Sequence, residues 1–243
     1  MGCSSGPDVV EDGLVLCLDA GSKRSYPGTG TTWTDTVGGN NGTLTNMDGA
    51  NFSSDNGGSL SFDASNERIR IINDSSLQFG TGSFSAFAWI YPQNVNNCRI
   101  INNRGAGLGG YYKGYQLKIS QSGSAWHFSD TGIDDASGNY KAITSNKYYP
   151  KSKWHHVNMV YKQDHSLILY VNGVLDSVLA VGAYGDITNS LPTAVGSSIS
   201  ADGVESGSSQ FYGGKMSQVG LYKRALSADE VRKNYLSTKE RYQ

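Results

Sequence analysis

Within these 243 residues, the side chains best suited to recognition are aromatic rings that share a segment with planar polar groups. Tyr26 and Trp33 fall in one glycine- and threonine-rich loop, Tyr111 and Tyr112 in another, and Tyr148 and Tyr149 beside a long polar stretch. A ring face stacks on the apolar side of a sugar while amides and carboxylates meet its hydroxyls, and Asn102, Asn103, Asp134 and Asn139 supply such groups. The competing role for any one of these tyrosines is to cap the core of a β-protein; Trp89 and Trp154 are assigned to the core itself. Glycoside cleavage would need two carboxylates facing each other across the scissile bond. The adjacent acidic pairs, Glu11-Asp12, Asp134-Asp135 and Asp229-Glu230, fall in a tail, a loop and a helix start, so no catalytic residue is assigned. His155 and His156 are consecutive on a strand, point to opposite faces and cannot share one ligand. They read as packing and hydrogen-bonding groups.

The elements that must position these residues are mostly short strands. Glycine is abundant at 31 residues and proline scarce at 5, and the glycines punctuate apolar runs as turns require. Residues 153–176 predict three consecutive strands. Trp154, His156, Asn158 and Val160 alternate with His155, Val157, Met159 and Tyr161, and after a polar turn 167–171 meets Asn172-Gly173, suited to a type I′ hairpin. Further strands are expected over 14–18, from 42, and over 59–62, 68–72, 83–91, 99–102, 115–120, 125–129, 193–196 and 211–222. The 83–91 strand has apolar groups on both faces, as a central strand would. Residues 130–151 read as a polar surface excursion, suited to contact with a partner. Ser227-Ala228-Asp229-Glu230 forms a capping box opening a helix over 228–236, with Val231 and Tyr235 packed and Arg232 and Lys233 in water.

The W-H-H-V segment at 154–157, L-Y-V-N-G at 169–173, and G-x-x-x-x-V-x-L-Y-x-R-A-L-S from Gly214 to Ser227 together resemble the laminin-G-like branch of the concanavalin A-like lectin/glucanase superfamily. The resemblance covers about residues 13 to 236 and is most specific in its second half. The N-terminal GLVLCLDAG, SYPGTGTTWTD and GGSLSFD are similar to forms of this module in structural proteins of tailed bacteriophages. The resemblance implies an all-β, antiparallel two-sheet jelly-roll sandwich with a short C-terminal helix. The glucanase branch carries E-x-D-x-E or E-x-D-x-x-E on one strand, and neither occurs here. Modules of this kind often hold one structural calcium through oxygen ligands. Glu67 keeps the first expected carboxylate, but Ser217 stands where the second belongs and Lys215 lies nearby, so no cofactor is assigned and Ca²⁺ through Glu67 is left open.

Formal net charge is −1, with 20 basic and 21 acidic residues, which provides no field for a nucleic-acid backbone. No stretch reaches the roughly 20 apolar residues that span a bilayer, and no secretory leader is legible. MGCSSG departs from the myristoylation pattern at Gly6. Asn-x-Ser/Thr sequons at Asn41, Asn51 and Asn73 matter only in a secretory pathway. The three cysteines, Cys3, Cys17 and Cys98, are too few for a zinc site, and Cys17 and Cys98 read as small buried hydrophobes, a bridge between them being the alternative. The expected organisation is an N-terminal tail or docking arm over 1–12 and one sandwich, including the C-terminal helix, over 13–243. The expected role is that of a non-catalytic virion surface protein, a capsid decoration or tail component that binds glycans and neighbouring virion subunits. The alternatives are a purely structural virion protein, an extracellular setting and, last, a glycan-active hydrolase.

Overall fold

The computed structural model describes residues 9–106, 112–135, 137–163, 165–199 and 210–242. Two antiparallel sheets face each other across one core. In the smaller sheet, the strand Phe84–Asn94 lies at the centre, between His155–Lys162 and Gly213–Tyr222. Ser166–Val171 and Val174–Ala180 extend one side, while Ser59–Asp63 and Phe52–Ser53 extend the other. The larger sheet runs from Tyr140–Ile143 through Thr131–Asp134, Tyr112–Ser122, Cys98–Asn102, Thr193–Val195, Arg68–Ile71 and Gly42–Thr45 to Thr32–Trp33.

The two-residue alternation dictates which side chains fill the gap between the sheets. Phe84, Ala86, Ala88 and Ile90 join Val157, Met159 and Tyr161 from one sheet, and Tyr115, Leu117, Ile119, Ile69 and Ile71 meet them from the other. The second apolar face of Phe84–Asn94 is explained by what covers it. Phe87 packs with Cys17, Tyr222, Leu226 and Val231 beneath the C-terminal helix, and Trp89 stacks on Tyr242 at 4.0 Å. Trp89 is therefore buried outside the sandwich core, and Trp154 is only half-buried against Tyr91 and Tyr242. Leu14 leaves the alternation of its strand because a register irregularity between Leu14 and Leu16 turns it outward into the same cluster under the helix.

The local signals in the sequence resolve as expected. Asn172 and Gly173 take φ of +52° and +72°, the two positive values of the tight hairpin. Ser227 Oγ accepts from Glu230 N and the Glu230 carboxylate from Ser227 N, opening the helix Ala228–Thr238, two residues longer than expected. Residues 130–151 are not one excursion. They contain the strands Thr131–Asp134, Tyr140–Ile143 and Tyr149–Pro150, the first two pairing with each other and so lengthening the larger sheet. Short strands of polar composition owe their form to that pairing rather than to a periodic pattern.

Cys98 is free and buried, and burial pushes its thiol up to about 12. Cys17 is buried and disulfide-bonded. A bridge between the two is thereby excluded, and the reading of Cys17 as a plain hydrophobe is corrected; Cys3 lies outside the described residues. Of the expected arm, residues 1–8 lie outside them too. Val10 donates to Asn234 Oδ1 at 2.9 Å, and its carbonyl accepts from Tyr222 OH at 2.8 Å.

Candidate functional site

The outer face of the larger sheet is polar where alternation demands it. Gln116 and Lys118 alternate with the core residues Tyr115, Leu117 and Ile119, and Asn102 stands opposite Gln116 on the neighbouring strand. Continued alternation would send Arg99 inward. A register irregularity between Leu117 and Lys118 instead pairs Leu117 with Ile101 and Lys118 with Arg99, leaving Ile100 as the extra residue. Ile100 and Ile101 both enter the core, and Arg99 is aimed at the outer face.

On the other flank of Tyr112–Ser122, Asp134 pairs with Gly114 and Tyr140 with Asp134. Arg104 donates through Nε (3.1 Å) and Nη2 (2.8 Å) to Asp134 Oδ2. Its guanidinium lies 4.5 Å from the Tyr112 ring centre and 4.3 Å from that of Tyr140, a stacked cation between two rings. Tyr112 is 48% exposed, so its ring edges the site. The Asp134 side chain is only 4% exposed, and its second oxygen, Oδ1, has no hydrogen-bond partner among the described residues. Burial raises the Asp134 carboxyl above the ordinary range, against the Arg104 hydrogen bond and charge that pull it down.

Gln116 ties this corner to the rest of the face. Its Nε2 donates to Tyr140 OH at 2.9 Å and to Asp130 O at 2.7 Å, while its Oε1 accepts from Arg99 Nε at 3.2 Å. Beside the site, Asn189 Nδ2 donates to Asn103 O (2.8 Å) and Lys113 O (2.9 Å), and Asn103 Nδ2 to Leu191 O (3.0 Å). Gly114 makes this clamp possible. It has φ +114°, and a Cβ there would stand 2.4 Å from Asn103 O and 2.7 Å from Asn189 Nδ2.

The residues singled out in the sequence are distributed unequally. Tyr112 and Asp134 meet at this corner. Asn139 is exposed nearby but its amide donates to Asp135 Oδ2 at 2.9 Å, shaping a turn. Asn102 and Asn103 are buried. Tyr111 lies outside the described residues. Tyr148 and Tyr149 sit elsewhere, because Tyr149 pairs with Trp126 and Trp126 with Gln121, seven positions along the strand from Gly114, which is roughly 23 Å at strand rise. Tyr148 is 59% exposed against His127, whereas Tyr149 donates to Asp176 and stacks on Trp126. Tyr26 and Trp33 are corrected outright. They are 1% and 0% exposed and belong to the main core, the loop having folded inward so that Trp33 pairs with Gly42 at the sheet edge. An open groove of about 240 Å³ passes Tyr26, Phe52 and Lys23, but the buried Tyr26 offers it little surface.

Arg99, Arg104, Gln116, Lys118 and Tyr140 were not singled out. The alternating Q-L-K of 116–118 is the signal that could have found the polar face. The adjacent Asp134 and Asp135 do not form an acid pair. Burial pushes the Asp135 carboxyl up, but the bonds it accepts from Ser137 N, Asn139 N, Asn139 Nδ2 and Gly185 N outweigh that and hold it below the ordinary range.

The residues implied for calcium do not converge. Ser217 Oγ donates to Gly58 O and accepts from Tyr242 OH, whereas the Glu67 carboxylate accepts from Asn51 beside Ser61. Next to Ser217, Arg241 forks onto both oxygens of Asp19 at 3.0 and 2.9 Å. Among the described residues no three His, Cys, Asp or Glu side chains gather as a metal site.

Residues 63–232 match the laminin-G-like family model of the concanavalin A-like lectin/glucanases superfamily. A botulinum-like toxin from Enterococcus sp. (strain 3G1_DIV0629) is 26% identical over 216 residues, covering 82% of this chain and 16% of the toxin. The binding domain of Paraclostridial Mosquitocidal Protein 1 is similar in structure with a TM-score of 0.68 and 16% identity over 92% of this chain and 52% of that one. The botulinum neurotoxin serotype D ligand-binding domain, solved in complex with N-acetylneuraminic acid, gives a TM-score of 0.63 at 16% identity over 93% of this chain and 51% of that one. The chain thus spans about a sixth of the toxin and half of each binding domain. These relatives are a toxin and toxin binding domains rather than the virion proteins that the N-terminal segment resembles.

Proposed function

The chain belongs to the concanavalin A-like lectin/glucanases superfamily, and from that premise we propose that it is a non-catalytic, extracellular carbohydrate-binding module with its site at the Arg104, Tyr112, Tyr140 and Asp134 corner. The observation that carries this reading is Asp134 Oδ1, a buried carboxylate oxygen without a partner among the described residues, placed beside rings that one guanidinium holds in place. A buried acceptor left unpaired costs about 1–3 kcal/mol, and a sugar hydroxyl donating to it recovers that while the exposed Tyr112 ring receives the sugar's apolar face.

The serotype D domain, about half of which is similar in fold to this chain, was solved with N-acetylneuraminic acid, which supports a sugar as the ligand class, and the half-length match leaves the site in this chain to be argued from its own residues. A non-catalytic role is supported by the commitment of Asp134 to Arg104 and of Asp135 to its turn. The disulfide at Cys17 favours an oxidising, extracellular setting. The N-terminal resemblance supports one particular such setting, the surface of a virion among other virion subunits.

A glycan array with the wild type, Tyr112→Ala and Asp134→Asn tests the site. Wild type is expected to bind a defined set of glycans, and each variant, shown by circular dichroism to be folded at the assay temperature, to lose about tenfold or more in affinity. Variants that bind like wild type would move the site elsewhere, and a wild type that binds no glycan would end the reading.

A further inference from the structure

Among the described residues one cation of the polar face has no carboxylate bonded to it, and that points to a class of sugar. Arg104 pairs with Asp134 at 2.8 Å and Lys118 with Asp130 at 3.1 Å. Arg99, 8% exposed, has no such carboxylate among the described residues. Its donors reach only neutral oxygens, those of Gln116 at 3.2 Å, Asn97 O at 3.4 Å and the Gln210 side chain. Burial, and next the charge of Arg104, push its pKa down. The charge of Asp130 reaches Arg99, but Asp130 is bonded to Lys118. A guanidinium taken out of water with no carboxylate bonded to it among the described residues is a costly arrangement, yet the irregularity at Ile100 serves to place it on this face instead of in the core.

We infer that the site takes an acidic glycan, with Arg99 receiving the anionic group and Asp134 Oδ1 accepting a hydroxyl from the same ligand. The inference rests on the carbohydrate-binding reading above and specifies its ligand class. Arg99 demands an anion and Asp134 Oδ1 demands a donor, and a polar chain joins them: Arg99 to Gln116, Gln116 to Tyr140, the Tyr140 ring to Arg104, and Arg104 to Asp134. In register, Arg99 stands opposite Lys118 and Asp134 opposite Gly114. The two positions are therefore four residues apart along the strands and two strands apart across them, roughly 15 Å between backbones. That span suits a short oligosaccharide. Carboxylate and sulfate groups both match the planar fork of arginine, so the shared chemistry is an anionic sugar substituent.

The test uses the whole chain and titrates four probes: an oligosaccharide ending in N-acetylneuraminic acid, its methyl ester, the neutral parent, and a sulfated form of that parent. Wild type is expected to bind at least one acidic probe about tenfold or more tighter than the neutral parent, with the difference shrinking at high salt. Arg99→Gln is expected to erase that preference. Comparison of the carboxylate with its methyl ester on wild type reads the same charge without any mutation, and so decides the matter if the variant folds poorly. Equal affinity of wild type for acidic and neutral probes overturns the inference and leaves carbohydrate binding standing. An acidic preference that survives in folded Arg99→Gln removes Arg99 from the role, and no affinity for any probe defeats the underlying reading instead.

Discussion

His156 is fully buried, with its ring 5.2 Å from that of Trp89 and its Nδ1 3.2 Å from Asn158 Nδ2. Burial alone pulls its pKa from 6.5 down to about 3. A base whose pKa is lower in the folded state leaves the unfolded chain holding more protons between those values. Its contribution to stability is therefore whole above pH 6.5 and is lost as pH falls toward 3, at up to about 1.4 kcal/mol per unit. Between pH 6.5 and 5, denaturant unfolding is expected to show a loss of about 1–2 kcal/mol, and His156→Gln is expected to flatten that slope. The variant is the needed control, because burial raises the carboxyls of Asp134 and Glu67, which act in the opposite direction. At this scale, residue type alone made Asp134 and Tyr112 legible, since a carboxylate and a surface ring announce their chemistry. Arg99 was hidden because one extra residue in its strand reverses the face it occupies, and a one-residue register change has no signature in composition. Tyr26 and Trp33 misled for the converse reason, that a glycine-rich loop can fold its rings inward.

Elements closed by local contacts were the ones readable in advance. The Ser227 to Glu230 box and the Asn172-Gly173 turn depend on residues within four positions of each other, so their chemistry sits in a short window of sequence. Ser227→Ala removes the oxygen that accepts from Glu230 N at 3.2 Å and is expected to lower stability by about 1 kcal/mol in urea unfolding, whereas Ser227→Asp, which keeps an acceptor, is expected to lose little. An equal loss for both would show that the cap does not hold this helix. The Arg224 fork onto Glu230, at 2.7 and 3.0 Å, adds a half-exposed pair of modest, salt-sensitive worth. The hairpin of Thr131–Asp134 and Tyr140–Ile143 was illegible by comparison. Its strands carry four residues each, and pairing beside Tyr112–Ser122 is what makes them strands.

At the scale of the molecule, the two ends of the described chain meet. Leu14–Asp19 pairs with Gly213–Tyr222, and Asp19, 1% exposed, receives the Arg241 fork and the Gln218 amide at 2.8 Å. The helix and the turn after it also form the roof over Phe87, Trp89 and His156, with Thr238 Oγ1 accepting from Trp89 Nε1 at 2.9 Å. Such long-range closure means that few of these contacts form until distant strands have met, a topology that folds slowly. Truncation after Leu226 would strip the roof from one face of the central strand and leave Asp19 buried beside no cation. Because both sheets share one core through that strand, the damage is expected to spread beyond the exposed face. The truncated chain is expected to lose cooperative urea unfolding and to bind a hydrophobic dye, while the full chain unfolds in one transition seen alike by near- and far-ultraviolet circular dichroism. A truncated chain that keeps the full-length midpoint and cooperativity would show instead that the sandwich core alone carries the fold, with the C-terminal helix as an ornament on its outer face.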